Sequence, residues 1–121
     1  MKAPTPRTRL PDRRLSETRR IAHVRSDGVA ARVFITIGYD PAEPLRPREV
    51  FYDEGYRSGS DLEYLVQDLC VIVSLLLQHG TPPEEIARSL SRREGADGGD
   101  GPGSLAGTIV AELFRPPAWA G

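Results

Sequence analysis

The sequence is poor in the residues that build most recognisable chemistry. Its 121 residues hold one cysteine, Cys70, and two histidines, His23 and His79. A single cysteine excludes an intrachain disulfide framework, a four-cysteine zinc site and a CxxC redox pair. Three scattered residues also make no metal-ligand spacing, so neither a metal nor a cofactor is expected. Lysine is nearly absent: of sixteen basic residues, all but Lys2 are arginine. Long apolar runs are missing too. The longest stretch without charge, Leu69 to Pro83, includes Gln78, His79 and Pro82. It falls short of the roughly 20 apolar residues that a membrane-spanning helix needs. The basic, Pro-containing N-terminus shows no apolar segment of the secretory kind. These absences lead to the expectation of a soluble, cytoplasmic protein without membrane contact. The length suits one domain and is too short for a catalytic barrel of about 250 residues. No nucleophile–base pair is visible, so catalysis ranks last among the functional readings.

What is present is unevenly distributed. The net charge of -1 conceals two halves. Residues 1–25 carry eight basic groups against two acidic ones, a net of +6. Residues 26–121 carry eight basic and fifteen acidic groups, a net of -7. The arginine excess fits either coding bias or a need for forked, permanently charged contacts to phosphate and carboxylate. Residues 1–10 read as a flexible basic arm, residues 11–114 as one domain and residues 115–121 as a Pro-rich tail, in which Trp119 could serve as an anchor. Asp40 to Pro47 is a Pro-rich connection, and Arg92 to Gly103 is a loop rich in Gly and Asp.

Hydrophobic patterning predicts the element order β-β-β-α-α-α. Thr18–Arg25 and Val29–Gly38 flank Asp27-Gly28, a hairpin signal because such a turn needs positive φ. Arg48–Asp53 reads as a third strand, completing a three-stranded antiparallel meander. Ser60 and Glu63 form a capping box that opens a long helix, Ser60 to His79. Leu62, Leu65, Val66, Leu69, Val73, Leu76 and Leu77 recur at helical spacing as its core stripe. Cys70 and Ile72 widen that stripe, so the second half is expected to be buried nearly all round. Gly80 is placed as its C-terminal cap. Thr81 is placed as the N-cap of a second helix, Pro82 to Arg92, and Ser104 to Phe114 as a third. The fold class is therefore α+β, with a long buried helix and two shorter helices on one face of the sheet. The long helix carries more apolar surface than one small core can use, which points to a homodimer.

Three candidate sites follow. The Gly-rich loop running into the long helix offers Arg57, Ser58, Gly59 and Ser60 to an anion or nucleotide phosphate, although a capped turn explains the same residues. Arg13, Arg14, Arg19 and Arg20 offer a nucleic-acid or partner contact, with salt-dependent binding if the ligand is nucleic acid. No aromatic residue interleaves with them, so base stacking has no support. Ser74 and Gln78, one turn apart, offer a helix–helix or dimer contact, or local bonds to the helix backbone. Cys70 reads as a small core residue.

A set of segments carries a family resemblance. They are Leu10-Pro11-Asp12-Arg13-Arg14, Glu49-Val50-Phe51, Gly55 to Ser60, Val73 to Gly80 and Thr81-Pro82-Pro83-Glu84-Glu85. In this order the chain resembles the TSCPD domain, in particular the C-terminal region of adenosylcobalamin-dependent (class II) ribonucleotide reductases. The resemblance covers about residues 9–114, and the five-letter motif itself is absent. It implies a detached, non-catalytic accessory domain, acting by self-association or by binding a protein partner, in a setting of nucleotide metabolism. It does not imply reductase activity, which requires several cysteines and a barrel. The alternative reading is a module that binds nucleic acid or nucleotide phosphate through the arginines and the Gly-rich loop.

Overall fold

The computed structural model describes residues 6–94 and 100–120. Its main sheet is the expected meander, β1 (Ser16–Val24), β2 (Ala30–Tyr39) and β3 (Pro47–Glu54), in that spatial order and antiparallel throughout. The β1–β2 turn is held locally. Gly28 takes φ 85°, its N–H donates to Arg25 O, and Asp27 Oδ1 accepts from Val29 N. Because side chains alternate along a strand, Val33, Ile35, Ile37 and Tyr39 all fall on one face. Each is at most 1% exposed. With Ile21, Val50 and Tyr52 they form the sheet half of the core. Register places Ile37 against Val50 and Ile35 against Tyr52, with irregularities on either side.

The helical layer begins with α1 (Asp61–Gln78). Its start is the capping box expected from the sequence. Ser60 Oγ accepts from Glu63 N, and Glu63 Oε1 accepts from Gly59 N. Its end is a Schellman motif: Thr81 N donates to Leu76 O, and Gly80 N, at φ 91°, donates to Leu77 O. α1 runs along β3 and seals the core with Val66, Cys70, Val73 and Leu77. α2 (Pro83–Ser89) adds Ile86, and α3 (Leu105–Glu112) adds Ile109 and Val110, joined by Leu113 just beyond its end. Full burial of one such side chain contributes about 1.5–3 kcal/mol.

Several expectations change. The second half of α1 is not buried all round, since Val71, Ile72, Leu75 and Leu76 are 37–57% exposed, and Leu62, Leu65 and Leu76, placed in the core stripe, are 39–55% exposed. One small sheet offers a helix only one flank, and α1 turns Val66, Val73 and Leu77 inward. The neighbouring Leu65, Ile72 and Leu76 therefore point outward. Thr81 does not cap α2. Its N–H closes the Schellman turn, and Pro82, held extended at ψ 150° ahead of Pro83, is the N-cap. α2 also stops at Ser89, because Arg92–Glu94 leaves the helix to form β4. β4 pairs with β5 (Asp100–Pro102), and an Arg92–Asp100 ion pair of 2.9 Å crosses that small sheet. The Arg92 to Gly103 loop thus has paired flanks; its residues 95–99 lie outside the described ones.

Two ionic clasps bind the layers. Arg48, buried, donates from Nε to Asp40 Oδ2 at 3.0 Å and from Nη1 to Leu77 O at 3.0 Å. It joins the β2–β3 connection to the C-terminal end of α1, where a cation complements the helix dipole. Arg19 donates to Glu17, to the Glu112 carbonyl, to Tyr39 Oη and to the carbonyls of Arg115 and Pro116. It fastens α3 and the chain beyond it to β1 and β2. Trp119 closes the same corner, edge-on to Tyr39 at 5.0 Å and donating to Pro44 O.

Candidate functional site

The Gly-rich loop is occupied with its own capping. Ser60 Oγ accepts from Glu63 N, Glu63 Oε1 accepts from Gly59 N, and Ser60 N donates to Arg57 O. Arg57, Ser58 and Gly59 are exposed, and Arg57 has no side-chain partner among the described residues. The Glu63 carboxylate thus takes the Gly59 amide.

The four arginines singled out in the sequence part company. Arg14 chelates Glu49 with Nε and Nη2 and donates from Nη1 to Pro11 O. The Glu49 bond raises the Arg14 pKa further, against a small penalty from burial. Arg19 is the inward clasp described above. Only Arg13 and Arg20 face outward without a partner among the described residues.

Ser74 and Gln78 turn toward β3 and the N-terminal segment rather than toward another helix. Ser74 Oγ accepts from Val50 N at 2.9 Å and donates to Val50 O at 3.0 Å. Gln78 Oε1 accepts from Arg7 Nε at 2.6 Å, and its carbonyl accepts from Thr8 N at 2.7 Å. Residues 7 and 8 therefore lie across the C-terminal end of α1.

These contacts frame a groove that no local sequence pattern announces. Beside the C-terminal half of α1 lies a slot of about 290 Å³, with Val50, Phe51, Cys70, Val71 and Leu75 among its lining. It adjoins a second, more polar cavity of about 320 Å³ that includes Thr8, Arg9, Leu10 and Arg14. Arg7, Glu49 and Gln78 line both, so the two are continuous. Gly38 makes the arrangement possible, because a Cβ there would stand 2.7 Å from Glu49 Cδ. The carboxylate can thus lie flat across β2 and meet Arg14. Cys70 lies at the bottom of the slot, 2% exposed, and burial pushes its thiol up to about 11. A thiol so protonated is a poor nucleophile and metal ligand at neutral pH. His23 makes a 2.9 Å contact from Nδ1 to Thr108 Oγ1, and burial, with Arg93 nearby, holds its pKa below the ordinary value. Among the described residues no three His, Cys, Asp or Glu side chains gather in a way that would hold a metal ion.

The remaining surface feature is the outer face of α1. Tyr64, Leu65, Ile72, Leu75 and Leu76 lie along it, 37–55% exposed, with Asp68 among them and His79 at its end. No helix among the described residues is long and apolar enough to cross a membrane.

No curated protein and no solved structure matches the chain. The model of one family, described as the TSCPD domain, matches residues 4–115. That span takes in the meander, α1 to α3 and the ion pairs of both clasps. The chain belongs to the TSCPD domain family.

Proposed function

We propose that this chain is a non-catalytic accessory domain that works by self-association, the outer face of α1 meeting the same face of a second copy. The observation that carries the reading is the apolar stripe itself. Leu65, Ile72, Leu75 and Leu76 stand 37–55% exposed on a single helix, whereas large contiguous apolar patches are uncommon on monomers and mark interaction sites. The C-terminal part of the stripe is also self-complementary under a two-fold axis, as a dimer of identical chains requires. In an antiparallel pairing centred at the level of Val73 and Ser74, Ile72 meets the second copy's Leu75. Asp68 then stands opposite the second copy's His79. The resemblance of the chain's motifs to the C-terminal region of class II ribonucleotide reductases supports a setting in nucleotide metabolism.

Light scattering across a wide range of protein concentration tests this. The full chain is expected at twice its 13.3 kDa mass, and Ile72→Lys is expected at the monomer mass with an unchanged far-ultraviolet spectrum. A monomer at every concentration overturns the proposal. Binding to nucleic acid has thinner support, because Arg14 and Arg19 are engaged within the fold and a capping box fills the Gly-rich loop.

A further inference from the structure

The paired cavities beside α1 have a polarity that the outer stripe does not. At one end Phe51, 46% exposed, and Val71, 57% exposed, stand over Val50 and Cys70. Apolar side chains so placed favour an apolar group between them. At the other end Arg7, Arg9 and Arg14 line the cavity together with one carboxylate, Glu49. Arg14 engages that carboxylate, Glu49, with two of its nitrogens. Neither Arg7 nor Arg9 has a carboxylate partner among the described residues. Arg7 is held in place by its Nε bond to Gln78, and its two terminal nitrogens have no partner among the described residues. Arg9 is exposed and has none at all among them. Two partly unoccupied forks beside an apolar slot are complementary to an acid with an apolar tail.

Size narrows the occupant. The slot, at about 290 Å³, sits at the small end of ligand pockets, which run from about 300 to 1,000 Å³. It is too small for a docked helix. A nucleic-acid strand would need a longer track of cations than two arginines. We infer that the groove binds a small amphipathic anion, its apolar body between Phe51, Val71 and Leu75 and its carboxylate or phosphate head on Arg7 and Arg9. The site shares Leu75 and Val71 with the proposed dimer face, since that pairing sets Leu75 against the second copy's Ile72 and Val71 against its Leu76.

Isothermal titration of the full chain with octanoate, octyl phosphate, octanol and inorganic phosphate tests this, with mass measured by light scattering on the same samples. One saturable site per chain is expected for an octyl anion. Octanoate alone assigns a carboxylate head, octyl phosphate alone a phosphate head, and both together a site that accepts either. Octanol is expected to bind at least about tenfold more weakly, the loss that accompanies removal of a charge-assisted bond. Inorganic phosphate alone is expected to give no measurable heat. Arg9→Gln, at an exposed position without a structural bond, is expected to weaken the anions about tenfold and leave octanol unchanged. Arg7→Gln with Arg9→Gln is expected to abolish the difference between anion and alcohol. The inference is overturned if octanol matches the anions, if Arg9→Gln and the double variant both leave anion affinity unaltered, or if neither anion binds. A monomeric mass with intact anion binding would sink the dimer and keep the site.

Discussion

The inner and outer faces of α1 are built from nearly the same residues and meet different fates. Val66, Val73 and Leu77 are at most 7% exposed, while Leu65, Ile72 and Leu76, their neighbours in the chain, are 39–55% exposed. Composition cannot distinguish the two sets. What separates them is polar. The inner side carries Ser74 and Gln78, each bonded to something off the helix, whereas the outer face carries the exposed Asp68. Apolar matter decides that this helix packs. Polar residues mark which way it faces, with Ser74 and Gln78 bonded on one side and Asp68 exposed on the other.

The comparison can be broken most directly by truncating one leucine from each side. Leu77→Ala is expected to cost about 2–5 kcal/mol, as buried leucines do. Leu76→Ala is expected to cost under about 1 kcal/mol in the stability of the folded chain while still weakening self-association. Urea unfolding at low protein concentration separates the two, and equal costs would mean that the faces have been assigned wrongly. Ser74→Ala comes next. It strips both the N–H and the C=O of Val50 of their partner, so about 1–3 kcal/mol is expected in the same assay. Ser60→Ala removes the N-cap and is expected to cost about 1 kcal/mol, irrespective of which face is buried.

The smallest effect is on acid stability. Asp40 has its pKa held below the ordinary 3.8: burial opposes its charge, but the Ala42 amide and Arg48 outweigh that. Glu17 is held below 4.5 by the Ala118 amide and Arg19. A carboxylate with a depressed folded-state pKa contributes stability that is fully present above its unfolded value and fades as pH falls through the folded one. Stability is therefore expected to fall as pH drops below about 4.5. Glu17→Gln, on the exposed side of its clasp, is expected to be less stable than the parent at neutral pH and to lose less on acidification. Thermal melts between neutral and acid pH check this. A parallel pair of curves would show that Glu17 has no part in the acid limb.

Much of the fold was legible in the chain because its signals are local. The alternation of Val33, Ile35 and Ile37, the Asp27-Gly28 turn and the Ser60–Glu63 box each lie within a few residues, and each appears as expected. The rotation of α1 was not legible. Apolar residues occupy nearly its whole circumference, so spacing alone admits more than one buried stripe. The groove was illegible for a different reason. Arg7, Glu49 and Gln78 meet only after the meander and α1 are built. Arg19 looked like part of a surface cluster, and only its partners Glu112, Tyr39 and Pro116, about 20 to 97 positions away, turn it inward. The capping box showed the opposite limit. Its residues were read correctly, yet whether they served a ligand or the helix itself depended on Glu63 reaching Gly59 N.

The Ser74 bonds to Val50 carry one more consequence. β3 ends the sheet, and a terminal strand offers its outward N–H and C=O groups to any other extended chain, the usual route to fibrous aggregates. At Val50 both groups are already answered by a hydroxyl, and the bulk of α1 stands in front of them. The helix is therefore a guard rail as well as half of the core. It shields the middle of β3 from strand-by-strand polymerisation and leaves side chains, rather than backbone, as the means by which copies can recognise one another there.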